Sequence, residues 1–122
     1  MMNAMATTLL IVDDDTRFRR FARQLLEGEG FTVVGEAADG AGAFSKVAAL
    51  RPQVVLLDLQ LPDVSGLQVA RTITTGGGEG PAVVITSTRD GASFASLTRE
   101  SGARGFVGKL ELSGAALRRL VG

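Results

Sequence analysis

Asp13, Asp14, Asp58, Thr86 and Lys109 are the residues whose types and placement could do chemistry together. Each follows a short apolar run of the kind that forms a buried strand. Carboxylates held about 4 Å apart repel by roughly 4 kcal/mol at an effective dielectric of 20, so an acid trio calls for a cation or for raised pKa values. An oxygen-only donor set with open positions suits Mg²⁺ (or Mn²⁺), which keeps waters and accepts a few carboxylates plus a phosphate oxygen. Lys109 adds a point charge for further phosphate oxygens. Such a set lets one carboxylate, Asp58, attack phosphorus and become an acyl phosphate, with Thr86 hydrogen-bonding the new group. Ser87 or Thr88 takes that role if the strand register differs by a residue or two. Singly, each acid at a strand end reads as a turn-former or helix cap. The recurrence at successive strand ends is what favours a site.

The elements that must position these residues alternate. Thr8–Val12 is an apolar run with β-branched members, followed by Asp13-Asp14-Asp15. Phe18, Phe21, Ala22, Leu25 and Leu26 then recur at helical spacing, with Arg17, Arg19, Arg20 and Arg23 read as a solvated charged face. A second strand is expected over Phe31–Ala37. Asp39-Gly40 opens a helix with Phe44, Val47, Ala48 and Leu50 as its inward stripe, closed by Pro52. Val54–Leu57 is the most hydrophobic strand and is expected at the centre of the sheet. A short helix from Leu67 to Ile73 precedes a glycine run, Gly76 to Gly80, read as a flexible connector. Ala82–Ile85 is a fourth strand, followed by a polar, weakly anchored helix from about Ala92 to Ser101. Arg104–Gly108 is a fifth strand, and Ser113 caps a last helix that carries Leu117, Leu120 and Val121 on one face. The pattern is (βα)₅, a parallel sheet covered on both faces, which binds ligands beyond the carboxyl ends of its strands.

Composition narrows the chemistry. The 122 residues suit one domain, with 45% hydrophobic residues for a core. Lys plus Arg and Asp plus Glu stand at 13 each, so no global positive field favours direct nucleic-acid binding. Without Cys or His, the chain has no disulfide, thiolate metal site or imidazole base. No apolar run approaches the roughly 20 residues of a membrane span. The chain reads as a cytoplasmic protein without membrane contact, with residues 1–7 as a mobile leader and 8–122 as the domain.

The motifs resemble the response-regulator receiver family of two-component signalling from about Leu9 to Leu120. The resemblance rests on Leu10-Ile11-Val12-Asp13-Asp14, on Asp58 through Pro62 to Gly66, on Thr86 followed by small Ser87, and on Lys109 behind Gly102-Ala103. It implies a flavodoxin-like, doubly wound five-stranded sheet of order 2-1-3-4-5. It also implies Asp58 as phosphoacceptor and Asp13, Asp14, Asp58 and the backbone carbonyl of Gln60 as the Mg²⁺ pocket. Thr86 becomes the phosphoryl sensor, Lys109 the phosphate contact and Phe106 the aromatic switch. Two departures stand out: Phe106 where Tyr is frequent, and Leu110 after Lys109 where many members carry Pro.

By the same resemblance, the phosphodonor is a histidine kinase or phosphotransfer protein, and the face of helix four, strand five and helix five serves output or homodimerisation. The chain then accepts phosphate on its own Asp rather than turning over a substrate. It can stand alone or form the N-terminal part of a DNA-binding regulator. A metal-dependent phosphatase on a related sheet is a rival, but its acid-x-acid nucleophile is missing, since Leu59-Gln60 follows Asp58. A phosphorylation-independent interaction module is a third reading, which the complete constellation disfavours.

Overall fold

A computed structural model of the chain describes residues 6–75, 80–88 and 94–121. Strands β1 (Thr8–Val12), β2 (Thr32–Ala37), β3 (Val54–Asp58), β4 (Ala82–Ser87) and β5 (Gly105–Gly108) alternate with helices α1 (Thr16–Gly28), α2 (Gly40–Leu50), α3 (Gly66–Thr74), α4 (Ala95–Glu100) and α5 (Gly114–Val121). All strand pairs are parallel, in the order β2-β1-β3-β4-β5. This is the expected doubly wound sheet. Its three inner strands explain the apolar runs: every residue of β3 is buried, because helices cover both faces.

The core divides accordingly. On one face Leu9, Ile11, Leu56 and Val84 pack with Ala22 and Leu26 of α1 and Leu117 of α5. On the other, Leu10, Val55, Leu57 and Ile85 pack with Ala43 of α2 and Val69 and Ala70 of α3. The strand alternation thus sends successive side chains to opposite layers.

Local signals set the helix starts. Asp15 caps α1 by accepting from the Arg17 amide at 2.9 Å, Asp39 caps α2 through Gly42, and Ser113 accepts from Ala116 at 3.0 Å at the start of α5. Two expected stripes are corrected. In α2 the buried positions are Gly40 and Ala43, with Val47 partly buried, while Phe44, Ala48 and Leu50 face outward. The reason is close approach: a side chain at Gly40 would meet Val64 at 2.4 Å, so α2 docks on its small residues and turns its large ones away. In α1, Phe21 is likewise outward and half exposed. In α4, Thr98 is the buried residue and Leu97 is exposed.

Most of the glycine connector (residues 76–79), residues 89–93 with the expected start of the fourth helix, and residues 1–5 of the leader lie outside the described residues. Among the described residues no helix is long and apolar enough to cross a membrane.

Candidate phosphoryl and metal site

Strand register brings the candidate residues to one rim. Val12 pairs with Leu57, so Asp13 and Asp58 leave adjacent strands side by side, and Asp58 pairs with Thr86. Ser87 pairs with Gly108, which carries Lys109 to the same edge. One oxygen from each of Asp13, Asp14 and Asp58 lies within 4.8 Å of the other two.

The three acids differ in setting. Asp13 is fully buried; its Oδ1 accepts from the Asp15 amide at 2.9 Å and its Oδ2 meets the Lys109 ammonium at 2.6 Å. Asp14 is exposed on the rim. Asp58 is buried at the sheet edge but lines the cleft; its Oδ1 accepts from the Gln60 amide at 3.3 Å and its Oδ2 lies 3.6 Å from Lys109 Nζ. Burial, then the neighbouring Asp13 charge, pushes the Asp58 carboxyl up to about 6, against the opposing pull of Lys109 and the Gln60 amide. Burial works against the Lys109 ammonium, yet its ion pair with Asp13 and the Asp58 charge outweigh that and raise its pKa.

The cleft holds about 260 Å³ between Asp14, Asp58, Gln60, Leu61, Pro62, Ser87, Thr88 and Lys109. A water's share of liquid volume is about 30 Å³, so a hydrated ion and a phosphoryl group fit together. The donor chemistry also fits a hard divalent cation: carboxylates that crowd one another, no sulfur or imidazole, and an open side.

Thr86 lies beneath this cleft rather than in its wall. It is buried, and its Oγ1 has no hydrogen-bond partner among the described residues. Ser87 and Thr88 line the cleft instead. Phe106 is one strand further out, beside Ile85, half-buried against the α3 side of the core. It also borders a second cavity with Glu111, Ala116, Arg119 and Leu120.

The segment from Asp58 to α3 is held tightly. Gln60 bridges Ser65, and the Gly66 amide donates to the Leu59 carbonyl at 2.8 Å. A Cβ on Gly66 would lie 2.1 Å from the Asp58 carbonyl oxygen, so glycine is required for this closure. Asp63 at the tip accepts from the Gly40 and Ala41 amides at 2.8 and 3.0 Å, bonds that hold its carboxyl below the usual range. The peptide after Lys109 is trans, as are all peptides of the described residues.

Sequence reasoning missed a supporting network. Arg19 and Arg23, expected on a solvated face, grip Glu36 of β2 at 2.9 and 2.7 Å. Arg19 also donates from Nη1 to the Asp13 carbonyl at 2.6 Å, tying α1 to the end of β1. The available signal was the i,i+4 spacing of two arginines with an acid late in the strand expected next. Asp63 was legible only as a member of the motif, since its partners on α2 are tertiary.

Comparison with known proteins agrees with this geometry. The response regulator receiver domain family matches residues 9–120. The DNA-binding response regulator MtrA of Mycolicibacterium smegmatis is 39% identical over 88% of this chain and 46% of its own length. A protein-glutamate methylesterase/protein-glutamine glutaminase of Koribacter versatilis is 36% identical over 88% of this chain and 30% of its own. The chain therefore spans less than half the length of these relatives. Among solved structures, the signal receiver domain of NarL from Mycobacterium tuberculosis superposes with a TM-score of 0.83 at 32% identity, covering 98% of this chain and 99% of that one. With the strand order, the acid rim and its lysine, these matches identify the chain as a member of the response regulator receiver domain family.

Proposed function

We propose that Asp58 is the phosphoryl acceptor of this receiver and that residues 8–122 form its receiver domain. The observation that carries this is the contrast between two neighbouring carboxylates: Asp13 is sealed and bound to Lys109, whereas Asp58 faces the cleft. A nucleophile must reach its substrate; a charge partner need not.

Asp14, Asp58 and the Gln60 backbone carbonyl, with Asp13 behind them, are the groups that would hold Mg²⁺. Bound there, Mg²⁺ offsets negative charge on the acids and on the phosphoryl oxygens. The Asp58 carboxylate forms a new O–P bond as the bond from phosphorus to the donor's imidazole nitrogen breaks, its electron pair leaving with that nitrogen. Lys109, 3.6 Å from Asp58, is positioned to contact a phosphoryl oxygen. The unpartnered Thr86 hydroxyl is a buried donor that gains an acceptor once the acyl phosphate forms. That new bond is the differential contact that biases the switch, with Phe106 following by packing rather than through a hydroxyl.

On this reading the chain is not an enzyme of external substrates. Its phosphodonor is a histidine kinase or phosphotransfer protein. Its output runs through the face of α4, β5 and α5, as a homodimer or, in a longer protein, to a DNA-binding module. Intact-mass measurement after incubation with Mg²⁺ and acetyl phosphate tests the assignment. One hydroxylamine-labile phosphoryl group that needs Mg²⁺ and is lost in Asp58→Asn supports it; a phosphoryl group that persists in the variant overturns it.

A further inference from the structure

The geometry points to Phe18 as a positioning residue for Lys109, acting through the face of its ring. The inference deepens the phosphoryl-accepting reading and rests on it for its kinetic consequence. Lys109 opens a 3-10 turn, Lys109–Glu111, in which the next residue, Leu110, is 99% exposed and gives the turn no packing. The side chain must therefore be placed by what it touches. On one side its ammonium meets Asp13 at 2.6 Å and Asp58 at 3.6 Å; the Phe18 ring centroid lies 4.6 Å from it.

The ring is itself well fixed. Phe18 sits in the first turn of α1, where the Asp15 carboxylate accepts from its amide at 3.4 Å. It packs against the core layer beneath α1 and α5, with the tilted Phe21 ring 6.2 Å away. An aromatic face attracts a cation without a directional hydrogen bond. A third carboxylate here would hold the ammonium back. The ring lets Nζ move from Asp13 toward an oxygen on Asp58 while keeping it out of water. Asp15, Phe18, Lys109 and Asp58 thus form one chain of restraint from a helix cap to the nucleophile.

Two measurements test this, one of them independent of phosphorylation. Lys46 and Lys109 are the lysines of this chain, and Lys46 is exposed, so in protein labelled with ¹³C at lysine Cε it serves as the internal reference. The Lys109 Cε protons are expected upfield of those of Lys46 by ring current, and this shift is expected to vanish in Phe18→Leu. Lys109 protons at the Lys46 position in the unaltered protein overturn the proposal.

The second measurement replaces Phe18 by mono-, tri- and pentafluorophenylalanine, which weaken the negative ring face with little change of shape. The Mg²⁺-dependent phosphorylation rate from acetyl phosphate is expected to fall stepwise, by about 2- to 30-fold across the series. The same series in a Lys109→Gln background is expected to be flat. A flat series with Lys109 present, or an equal fall with it absent, overturns the proposal. If the unaltered chain takes no phosphoryl group at all, the receiver chemistry fails instead, and the lysine spectrum alone decides the contact.

Discussion

Asp58→Asn should stabilise the metal-free protein. In the folded chain the Asp58 carboxyl is raised from 3.8 to about 6 by burial and by the Asp13 charge. A group that binds its proton more tightly in the folded state favours folding at low pH and opposes it once the pH passes the folded value. The cost therefore grows between about pH 4 and 6 and is complete at neutral pH. A shift of about two units corresponds to at most about 3 kcal/mol, and the opening of Asp58 to the cleft reduces this to about 1–2 kcal/mol. Asn keeps the shape and still accepts from the Gln60 amide, so it removes the charge alone. Thermal melts in EDTA at pH 7.5 should show the variant melting about 3–10 °C higher, with the gain shrinking toward zero at pH 4. A lower Tm at pH 7.5, or a gain that is the same at both pH values, would refute the electrostatic account of the rim.

Mg²⁺ should raise the Tm of the unaltered chain in proportion to site occupancy, by about 2.7 kcal/mol of stability at a hundredfold excess over Kd, and Asp14→Asn should blunt the effect in the same titration. Lys109→Gln leaves Asp13 buried without its counter-charge and should cost about 3–5 kcal/mol in urea unfolding, with the Asp13→Asn/Lys109→Gln double variant recovering much of it; additive losses would argue against the pair. Gly66→Ala should cost about 1–3 kcal/mol and slow phosphorylation, because its methyl group would collide with the Asp58 carbonyl oxygen. Asp63→Ala should lower the Tm at neutral pH but not below the folded pKa of Asp63, since a carboxylate with a lowered pKa stabilises above its unfolded value and loses that contribution as pH falls through its folded one.

The rim was legible because the code for it is short-range. A strand buried on both faces is apolar until it nears the rim, so the polar residues at the ends of the apolar runs mark the site: Asp13 directly after β1, Asp58 as the last residue of β3, and Lys109 directly after the short edge strand β5. Thr86 differs, lying within β4 and buried under the cleft, because β4 runs on to Ser87. Helix orientation was less legible. Phe21 and Phe44 fit an amphipathic stripe at helical spacing, but a helix settles on whichever stripe packs closest, and in α2 that is Gly40 and Ala43. Contacts between residues far apart in sequence, such as Asp63 with the start of α2 and Phe18 with Lys109, leave no periodic trace. They become visible only once the register has placed their elements side by side.

The central claim is that Asp58, and no neighbouring acid, takes the phosphoryl group. Borohydride reduces an acyl phosphate at an aspartate to homoserine, so the protein incubated with Mg²⁺ and acetyl phosphate, then reduced and digested, reports the acceptor by peptide mass. The account predicts conversion at Asp58 alone, in the peptide that runs through Leu59 and Gln60. Conversion at Asp13 or Asp14, or an unaltered Asp58 in protein that has gained a phosphoryl group, would contradict it.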